Sequence, residues 1–315
     1  MRAVLLGGTG FIGSALAARL LERGYDVVIT TRKPQREMGM FREAGRADPA
    51  RLIFAAWDSK SPKDWVEYLD GADACVNLVG ENIAGERWTS AYKERLRQSR
   101  LNAGRLVCEA MDAVRNKPRM LVQCSAIGYY GPRGDEILSE DEADTPARGP
   151  SFLAELARAW EASTLPVEEL GVRRVVIRTG VVLGRGGGAL EKIIPAFRLF
   201  AGGPLGAGRQ WFSWIHLQDV VDAICHLIAT ESCRGVFNLT APAPATMKDY
   251  CRALGHALHR PSWLPIPAFS LKLMLGDMAD ELLLNGQRVV PKRLLASGYA
   301  FAFPQLDAAL RDLLS

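Results

Sequence analysis

Short, continuous apolar runs recur along the first 180 residues and alternate with segments of helical periodicity. Such runs predict strands that are buried on both faces, as in a parallel sheet covered by helices. The predicted strands are 3–6, 26–31, 52–55, 74–78, 120–124 and 174–177. The clearest helical patterns cover 91–113 and 152–170. The alternation therefore predicts an α/β fold built on a doubly wound parallel sheet.

This rhythm changes after residue 178. The later segments are a glycine-rich stretch with a helical insert at 190–200, a strand end that leads into a helix at 214–229, a proline-rich linker at 261–267 and two helical stretches within 269–314. We expect residues 1–180 to form the sheet domain, with 214–240 returning to its core. Residues 181–213 and 241–315 are then expected to form a smaller C-terminal lobe on the substrate side.

Composition excludes several classes of protein. The 315 residues include 39 basic and 35 acidic side chains, for a formal net charge of +4. Because this excess is small and no basic block occurs, nucleic-acid binding is not expected. No apolar stretch reaches the length of a membrane span, so we expect no membrane partner and a cytoplasmic location.

Cysteine and histidine spacing gives no sign of a disulfide framework or a metal site. None of the six cysteines forms a C-x-x-C pair, and several lie within apolar runs. This usage is typical of buried thiols in a reducing compartment. The four histidines lack zinc-type spacing with cysteines or acids, so no metal is expected.

The first predicted strand is followed by a glycine motif. Residues 8–13 fit G-x-G-x-x-G, and the glycines at 7, 10 and 13 fit a second register. Glycines in this position allow a tight turn and close approach to a pyrophosphate, which the next helix meets with its N–H groups. We therefore predict a dinucleotide-binding Rossmann βαβ unit, and a merely structural glycine turn is the alternative. The predicted contacts are Gly7, Thr9, Gly10, Phe11 and Ile12.

The second strand indicates which dinucleotide is bound. NAD-dependent enzymes usually carry an acid at the end of this strand. Here the strand ends in Thr31, Arg32 and Lys33, and Asp26 lies at its start. A hydroxyl and two cations suit a 2′-phosphate, because charged donors form strong hydrogen bonds with phosphate oxygens. The sequence predicts NADP as the cofactor, and a solvated basic turn is the alternative.

Several motifs resemble those of the extended short-chain dehydrogenase/reductases of the epimerase/dehydratase branch. The matching stretches are 7–13, 77–80, 125–131, 178–184 and 214–219. A closer resemblance is to the atypical subgroup known as "epimerase family protein". Its motifs are matched by 81–83, 87–88, 93–94, 99–100, 160–161, 202–206 and 210, and the stretch 264–313 resembles its small C-terminal domain of unknown function. Together these matches cover essentially the whole chain.

This resemblance implies particular cofactor contacts. Thr31 and Arg32 are expected at the 2′-phosphate. The other implied contacts are the strand-end residues Leu78, Val79 and Gly80 and the polar residues Glu94, Arg100 and Glu161. Without the resemblance, the two glutamates are typical of solvated helix charges.

The same resemblance predicts a catalytic pair that this chain does not have. The wider family uses Tyr-x-x-x-Lys with a serine or threonine, and the lysine and cofactor adjust the tyrosine for proton exchange. Residues 131–191 contain neither tyrosine nor lysine. Phe152 or Leu153 occupies the tyrosine position, and Leu156 or Ala157 occupies the lysine position. Because none of these side chains transfers a proton, ordinary epimerase or dehydratase chemistry is in doubt.

Three polar residues near the fifth strand remain as candidates for proton transfer. Ser125 precedes the usual serine position, which Ala126 occupies, and Tyr129 and Tyr130 follow closely. We predict Ser125 and Tyr129 as the catalytic pair. The alternative is that the tyrosines pack against the cleft wall.

Other polar residues are weaker candidates. Arg87, Lys93 and Arg178 are candidates for binding an anionic substrate. His216, close to Asp219, is either a general base or, as we expect, a structural histidine. Arg185 and the following glycines predict an anion-binding loop or a lid.

The sequence thus favours an NADP(H)-dependent oxidoreductase that acts on an unidentified small molecule, and it leaves enzymatic activity open. The alternatives are a non-catalytic NADP(H) sensor or partner-binding module, and an epimerase with a relocated acid/base. A homodimer that pairs through 91–113 and 152–170 is a further expectation.

Overall fold

The computed structural model describes residues 1–43, 50–142 and 149–315. Its strands are β1 (Arg2–Leu6), β2 (Asp26–Thr31), β3 (Leu52–Ala56), β4 (Ala74–Asn77), β5 (Met120–Ala126), β6 (Ile137–Leu138), β7 (Arg173–Thr179), β8 (Val181–Leu183), β9 (Trp211–Phe212), β10 (Trp214–His216), β11 (Gly235–Leu239), β12 (Ala245–Thr246) and β13 (Arg288–Val289). Its α-helices are α1 (Phe11–Glu22), α2 (Pro34–Glu43), α3 (Ser90–Ala113), α4 (Phe152–Ala162), α5 (Gly188–Arg198), α6 (Leu217–Ala229), α7 (Met247–Leu258), α8 (Ala268–Leu275), α9 (Asp277–Ala279), α10 (Lys292–Ala296) and α11 (Leu306–Leu314).

The central layer is a seven-stranded sheet in which every pair of neighbours is parallel, in the order β11-β7-β5-β4-β1-β2-β3. This order confirms the predicted doubly wound Rossmann fold, and all six predicted strands are present. The seventh, β11, was not among them. Its five residues begin with a glycine and include the polar Asn238, so the apolar run is short.

Alternation along the strands divides the core into two layers. One layer contains Leu5 and Ile29 and packs against α1 and α6. The other contains Leu6 and Val28 and packs against α3. Since both faces are buried, the strands need apolar residues at successive positions, which is why they appear as continuous apolar runs in the sequence.

The predicted helix 152–170 is wrong in its second half. The α-helix ends at Ala162, and a separate 3₁₀ turn covers Leu165–Glu168. Pro166 explains the break, because proline disfavours helical geometry in the residue before it and lacks an N–H group.

The predicted pair of tail helices is also wrong. The tail contains α8, α9, a π-helical turn at Asp280–Leu284, β13, α10 and α11. Prolines and glycines separate these short elements, at positions such as Pro267, Gly276, Pro291 and Gly298.

Asp219 fastens the tail to the sheet domain. This carboxylate is fully buried at the start of α6. It accepts hydrogen bonds from the Tyr299 hydroxyl at 3.0 Å and from the Ala302 and Phe303 N–H groups at 2.8 and 2.9 Å. A buried charge that receives several donors is stabilised by them. The tail is therefore part of the folded core.

All six cysteines are free thiols, and all but the half-buried Cys108 are buried. Within the described residues, none of the helices combines the length and apolar character that crossing a membrane requires.

Candidate cofactor and substrate site

The glycine turn between β1 and α1 leaves no room for a side chain at Gly7 or at Gly13, the third residue of α1. Gly7 has a φ of +79°, and a Cβ atom there would lie 3.0 Å from the carbonyl carbon of Leu78. A Cβ on Gly13 would lie 2.3 Å from the Gly7 oxygen. Backbone therefore packs against backbone, and only glycine satisfies both positions.

The turn presents the N-terminus of α1 without a side-chain cap. Gly10 is the N-cap residue, and the first turn of the helix contains no acid. The first N–H groups of a helix have no partner within it, so those of Phe11 and Ile12 are free to bind an anion. Thr9 lies beside them in the same turn. This geometry fits the pyrophosphate of a dinucleotide.

The end of β2 offers a hydroxyl and two cations. Thr31 is buried, and its Oγ1 accepts a hydrogen bond from the Lys33 N–H at 3.3 Å. Arg32 and Lys33 are exposed, and neither forms an ion pair with any residue that the structure describes. The arrangement fits a phosphate group at this corner.

Arg100 brings a buried cation to the end of β4. It is only 8% exposed, and burial lowers its pKa. Its Nη1 donates to the Leu96 carbonyl at 3.0 Å, and its guanidinium lies 4.8 Å from the centre of the Trp160 ring. In the described part of the chain it has no ion-pair partner. A buried arginine without a counter-ion is suited to binding an anion.

Of the strand-end residues Leu78, Val79 and Gly80, the glycine lies against this cation, and the other two pack against the two layers of the core. A Cβ on Gly80 would lie 3.1 Å from Arg100 Cζ, so the guanidinium packs directly on the glycine. Parallel neighbours end at the same edge of a sheet, so β4, β1 and β2 bring the glycine turn, Thr31 and Gly80 to one edge. Glu94 lies elsewhere: it is exposed on α3, where it accepts a hydrogen bond from Gln98 at 2.6 Å.

A cavity of about 250 Å³ opens beside this edge, where β5 and β7 end. Its walls come from the strand ends, from α4, from residues 210–213 and from the segment 281–287, here called the roof segment. The α4 contribution includes Leu153, Leu156 and Ala157. These are positions where the wider family keeps its tyrosine and lysine, so the place of the usual pair is an apolar wall.

Glu281 ties the roof segment to α4. Its carboxylate accepts hydrogen bonds from the Phe152 N–H and the Ser151 hydroxyl, both at 2.8 Å, and from the Leu153 N–H at 3.3 Å. It binds otherwise free N–H donors at the N-terminus of α4, and its negative charge interacts favourably with the helix dipole. Glu281 also lines the cavity.

The other end of the roof segment is fixed to β9 and its neighbours. Gln210 donates to the Leu283 carbonyl at 2.7 Å. The Ser213 hydroxyl donates to the Gln287 carbonyl at 2.7 Å and accepts from the Val289 N–H at 2.9 Å. The roof segment is therefore held on both sides of the cavity.

Ser125 belongs to a buried network behind the cavity wall. Strand register places it opposite Arg178. Its hydroxyl donates to Glu161 Oε1 at 2.6 Å, and Arg178 binds both carboxylate oxygens of Glu161 at 2.8 and 2.9 Å. Ser125 and Arg178 are each 1% exposed, so neither borders the cavity. Glu161 is likewise a partner of these two side chains and lies outside the lining.

The charge of Arg178 is stabilised inside this network. Burial by itself lowers the pKa of Arg178, but the hydrogen bonds and charge of Glu161 outweigh it, so the pKa is raised. The resulting cation lies 3.3 Å from the centre of the Tyr129 ring, and the Arg158 guanidinium lies 5.3 Å from it. Tyr129 is thus a half-buried tyrosine beside two cations, and it follows the lining residue Gly128 without itself being part of the lining.

Tyr130 has a different environment. Its hydroxyl donates to Asn238 Oδ1 at 2.9 Å, and burial raises its pKa to about 12. Such a tyrosine stays protonated near neutral pH. The structure therefore gives the two adjacent tyrosines different environments, with Tyr129 beside two guanidinium groups and Tyr130 bonded to Asn238.

The weaker candidates have structural partners. Lys93 forms an ion pair with Asp277 at 2.8 Å, and Arg185 donates to the Ser315 carbonyl at 3.1 Å. His216 caps α6 by accepting the Gln218 N–H at 3.1 Å, and burial lowers its pKa. This supports the structural interpretation of His216. Glu281 and the other roof residues were missed, because their cavity contacts join segments about 130 residues apart.

Comparison with known families identifies two matches. The model of the NAD dependent epimerase/dehydratase family matches residues 3–240. The model of a domain of unknown function, DUF1731, matches residues 266–313. The second match includes the roof segment.

Curated relatives match over the full chain. Epimerase family protein SDR39U1 of Bos taurus is 37% identical over 319 residues, covering 100% of both chains. The SDR39U1 homolog of Arabidopsis thaliana, named as chloroplastic, is 37% identical over 319 residues and covers 100% of this chain and 87% of its own. Epimerase family protein YfhF of Bacillus subtilis is 35% identical, with 100% and 98% coverage.

Solved structures match as well. A crystal structure of human epimerase family protein SDR39U1 (isoform2) with NADPH superposes with a TM-score of 0.86 at 36% identity, covering 100% of this chain and 99% of that one. UDP-glucuronic acid 4-epimerase from Bacillus cereus in complex with NAD gives a TM-score of 0.77 at 16% identity, with 100% and 98% coverage. The latter likeness concerns the fold alone.

Proposed function

This chain belongs to the NAD dependent epimerase/dehydratase family, and we propose that it is an NADP(H)-dependent oxidoreductase acting on a small molecule. The observation that carries the proposal is the position of Arg100. This buried cation packs on Gly80 at the cofactor edge and also lines the cavity. A dinucleotide held along that edge would therefore have its reactive end beside a closed substrate cavity.

NADP is the dinucleotide that the residues fit. The backbone of the glycine turn and α1 would bind the pyrophosphate, and Thr31, Arg32 and Lys33 would bind the 2′-phosphate. The human relative, 36% identical, was crystallised with NADPH. We extend that cofactor to this chain because the end of β2 carries two cations, Arg32 and Lys33, that form no ion pair with any described residue.

The chemistry follows from the cavity walls and the tyrosines. When bound, NADPH supplies a hydride donor, and NADP⁺ supplies the acceptor for the reverse direction. The apolar side chains of α4 exclude water from the reacting atoms. We assign proton transfer to Tyr129, which directly follows the lining residue Gly128 and has two guanidinium groups beside its ring. Ser125, which donates to Glu161, is assigned a supporting role through the network around Arg178.

A non-catalytic NADP(H) sensor is the second candidate. The observation that favours it is the apolar wall at Leu153, Leu156 and Ala157, where a proton-transferring pair is absent. A sensor would bind the cofactor with the same preference but would not turn over any substrate. An epimerase with a relocated acid/base would instead return its cofactor unchanged after each turnover.

The cofactor assignment is tested by titrating NADPH and NADH into the wild type and the variant Arg32→Ala. We expect NADPH to bind more tightly, and the variant to lose about 10- to 100-fold of that preference, because hydrogen bonds to charged groups contribute about 1.5–3 kcal/mol. Arg36→Ala removes an exposed arginine of α2 and serves as the control. Equal binding of the two cofactors by the wild type would refute the assignment.

A further inference from the structure

We propose that the substrate of this cavity is a neutral, largely apolar carbonyl compound or its alcohol, such as an aromatic ketone, and not a nucleotide sugar. This inference rests on the proposed oxidoreductase function and names its substrate class. It concerns the cavity lining, the charges around it and the roof segment.

Apolar side chains dominate the cavity lining. They come from every wall: Ile83, Ile127, Leu153, Leu156, Trp160, Trp211, Phe212, Met247, Leu282 and Leu283. Aromatic and aliphatic walls of this kind favour a ligand that leaves water for the hydrophobic interior. A sugar ring would have to give up hydrogen bonds to water without recovering them from these walls.

The volume also favours a compact ligand. At about 250 Å³ the cavity lies slightly below the usual range of about 300–1,000 Å³ for small-molecule pockets. A nucleotide sugar combines a base, a ribose, a diphosphate and a hexose. A fused pair of aromatic rings with one oxygen substituent matches the volume better.

Charge excludes a diphosphate more directly. A diphosphate binds to cations or to free N–H groups at a helix N-terminus. Arg100 is the one cationic residue among the described residues of the lining, and Glu281 already accepts the N-terminal N–H groups of α4. Two nearby cations are already paired, since Arg178 binds Glu161 and Lys93 binds Asp277. The carboxylate of Glu281, which also lines the cavity, would repel the negative charge of a diphosphate.

The polar end of the substrate would be recognised by amides of the roof segment. Asn285 and Gln287 both line the cavity, and no hydrogen bond of their side-chain amides is found within the described residues. An amide donates to a ketone oxygen and accepts from an alcohol, so it accommodates both redox states. The cavity walls therefore suit a substrate with an apolar body and one polar end.

The reaction balances with the proposed cofactor. In reduction, the carbonyl carbon would receive the hydride with its two electrons from NADPH. The carbonyl oxygen would receive a proton from the Tyr129 hydroxyl, which would regain one from water. The products are the secondary alcohol and NADP⁺. No further oxidant or reductant is needed.

The test is isothermal titration calorimetry of the full chain with 2-acetylnaphthalene and with UDP-glucose, each with and without saturating NADP⁺, which cannot reduce the ketone. We expect the ketone to bind and UDP-glucose not to bind. Leu282→Lys places a charge in the lining and is expected to weaken ketone binding at least ten-fold. Leu273→Lys makes the same change on an exposed side chain of α8 and should leave binding unchanged.

Gln287→Leu provides a second variant if Leu282→Lys does not fold, and it should weaken ketone binding several-fold by removing the polar end. Tighter binding of UDP-glucose than of the ketone would overturn the substrate class. So would ketone binding that neither lining substitution changes.

The failure of this inference can be distinguished from the failure of the proposed function. NADPH titration of the same wild-type sample reports on the cofactor, whatever the ketone does. NADPH binding without ketone binding overturns the substrate class alone. Ketone binding without NADPH binding overturns the oxidoreductase proposal and supports the cavity assignment.

Discussion

The cofactor edge and the α4 wall lie side by side, yet they differ in how closely they follow the family pattern. The cofactor edge keeps its glycines, because a Cβ at Gly7 or Gly13 would collide with backbone. The α4 wall has lost both proton-transferring side chains. The difference teaches that dinucleotide binding depends on backbone geometry, which tolerates little change. Proton transfer depends on single side chains, which a neighbouring element can replace.

The sharpest test of this comparison is whether proton transfer has moved to Tyr129. Tyr129→Phe should lower turnover of the ketone by about 10²- to 10⁴-fold, the usual contribution of a general acid, and leave NADPH affinity unchanged. Steady-state kinetics and NADPH titration measure the two effects. Tyr130→Phe is the control, since its hydroxyl bonds Asn238 and its raised pKa of about 12 keeps it protonated. Equal losses in both variants would contradict the assignment.

A second test asks how much the buried ion pair between Glu161 and Arg178 stabilises the α4 side of the site. Glu161→Ala leaves the Arg178 cation buried without its carboxylate, which should cost about 3–5 kcal/mol of unfolding free energy. Urea unfolding measures this. Glu155→Ala, an exposed glutamate of the same helix, should change stability by less than about 0.5 kcal/mol. A loss that small at Glu161 would mean that the pair contributes little.

A third test asks whether NADPH binding depends on the backbone geometry of the glycine turn. Gly13→Ala should weaken NADPH binding by about 10-fold or more, because its Cβ would lie 2.3 Å from the Gly7 oxygen and overpacking costs about 1–3 kcal/mol. Fluorescence titration with NADPH measures the change. Gly39→Ala has no heavy atom within 4 Å of the new Cβ and should bind NADPH like the wild type. Normal binding by Gly13→Ala would show that the turn tolerates side chains.

The cofactor edge was predictable from the sequence because its signals are local. The glycines follow directly after β1, and Thr31, Arg32 and Lys33 occupy or directly follow the end of β2. Strand and helix alternate at distances that fix a parallel sheet, so the strands of one edge could be aligned without a structure. The confirmed Rossmann fold reflects this locality.

The substrate side was less predictable because its contacts join distant segments. Glu281 meets Phe152 across 129 positions, and Gln210 meets Leu283 across 73. No spacing rule connects such residues. Ser125 was predicted at the cleft, but a one-residue difference in a strand moves a side chain to the opposite face, and here it faces the network of Glu161 and Arg178.

The position of the roof segment, which follows the sheet domain along the chain, has a consequence for biosynthesis. Residues 1–240 contain all seven strands of the sheet and α6, as well as the glycine turn, the end of β2 and Arg100, and they leave the ribosome before Glu281 does. Because domains form from the N-terminus during synthesis, the cofactor edge can assemble on a nascent chain that still has no closed cavity. The order of translation thus separates the two halves of the site in time, and the chamber for the substrate is completed only after the roof segment has been made.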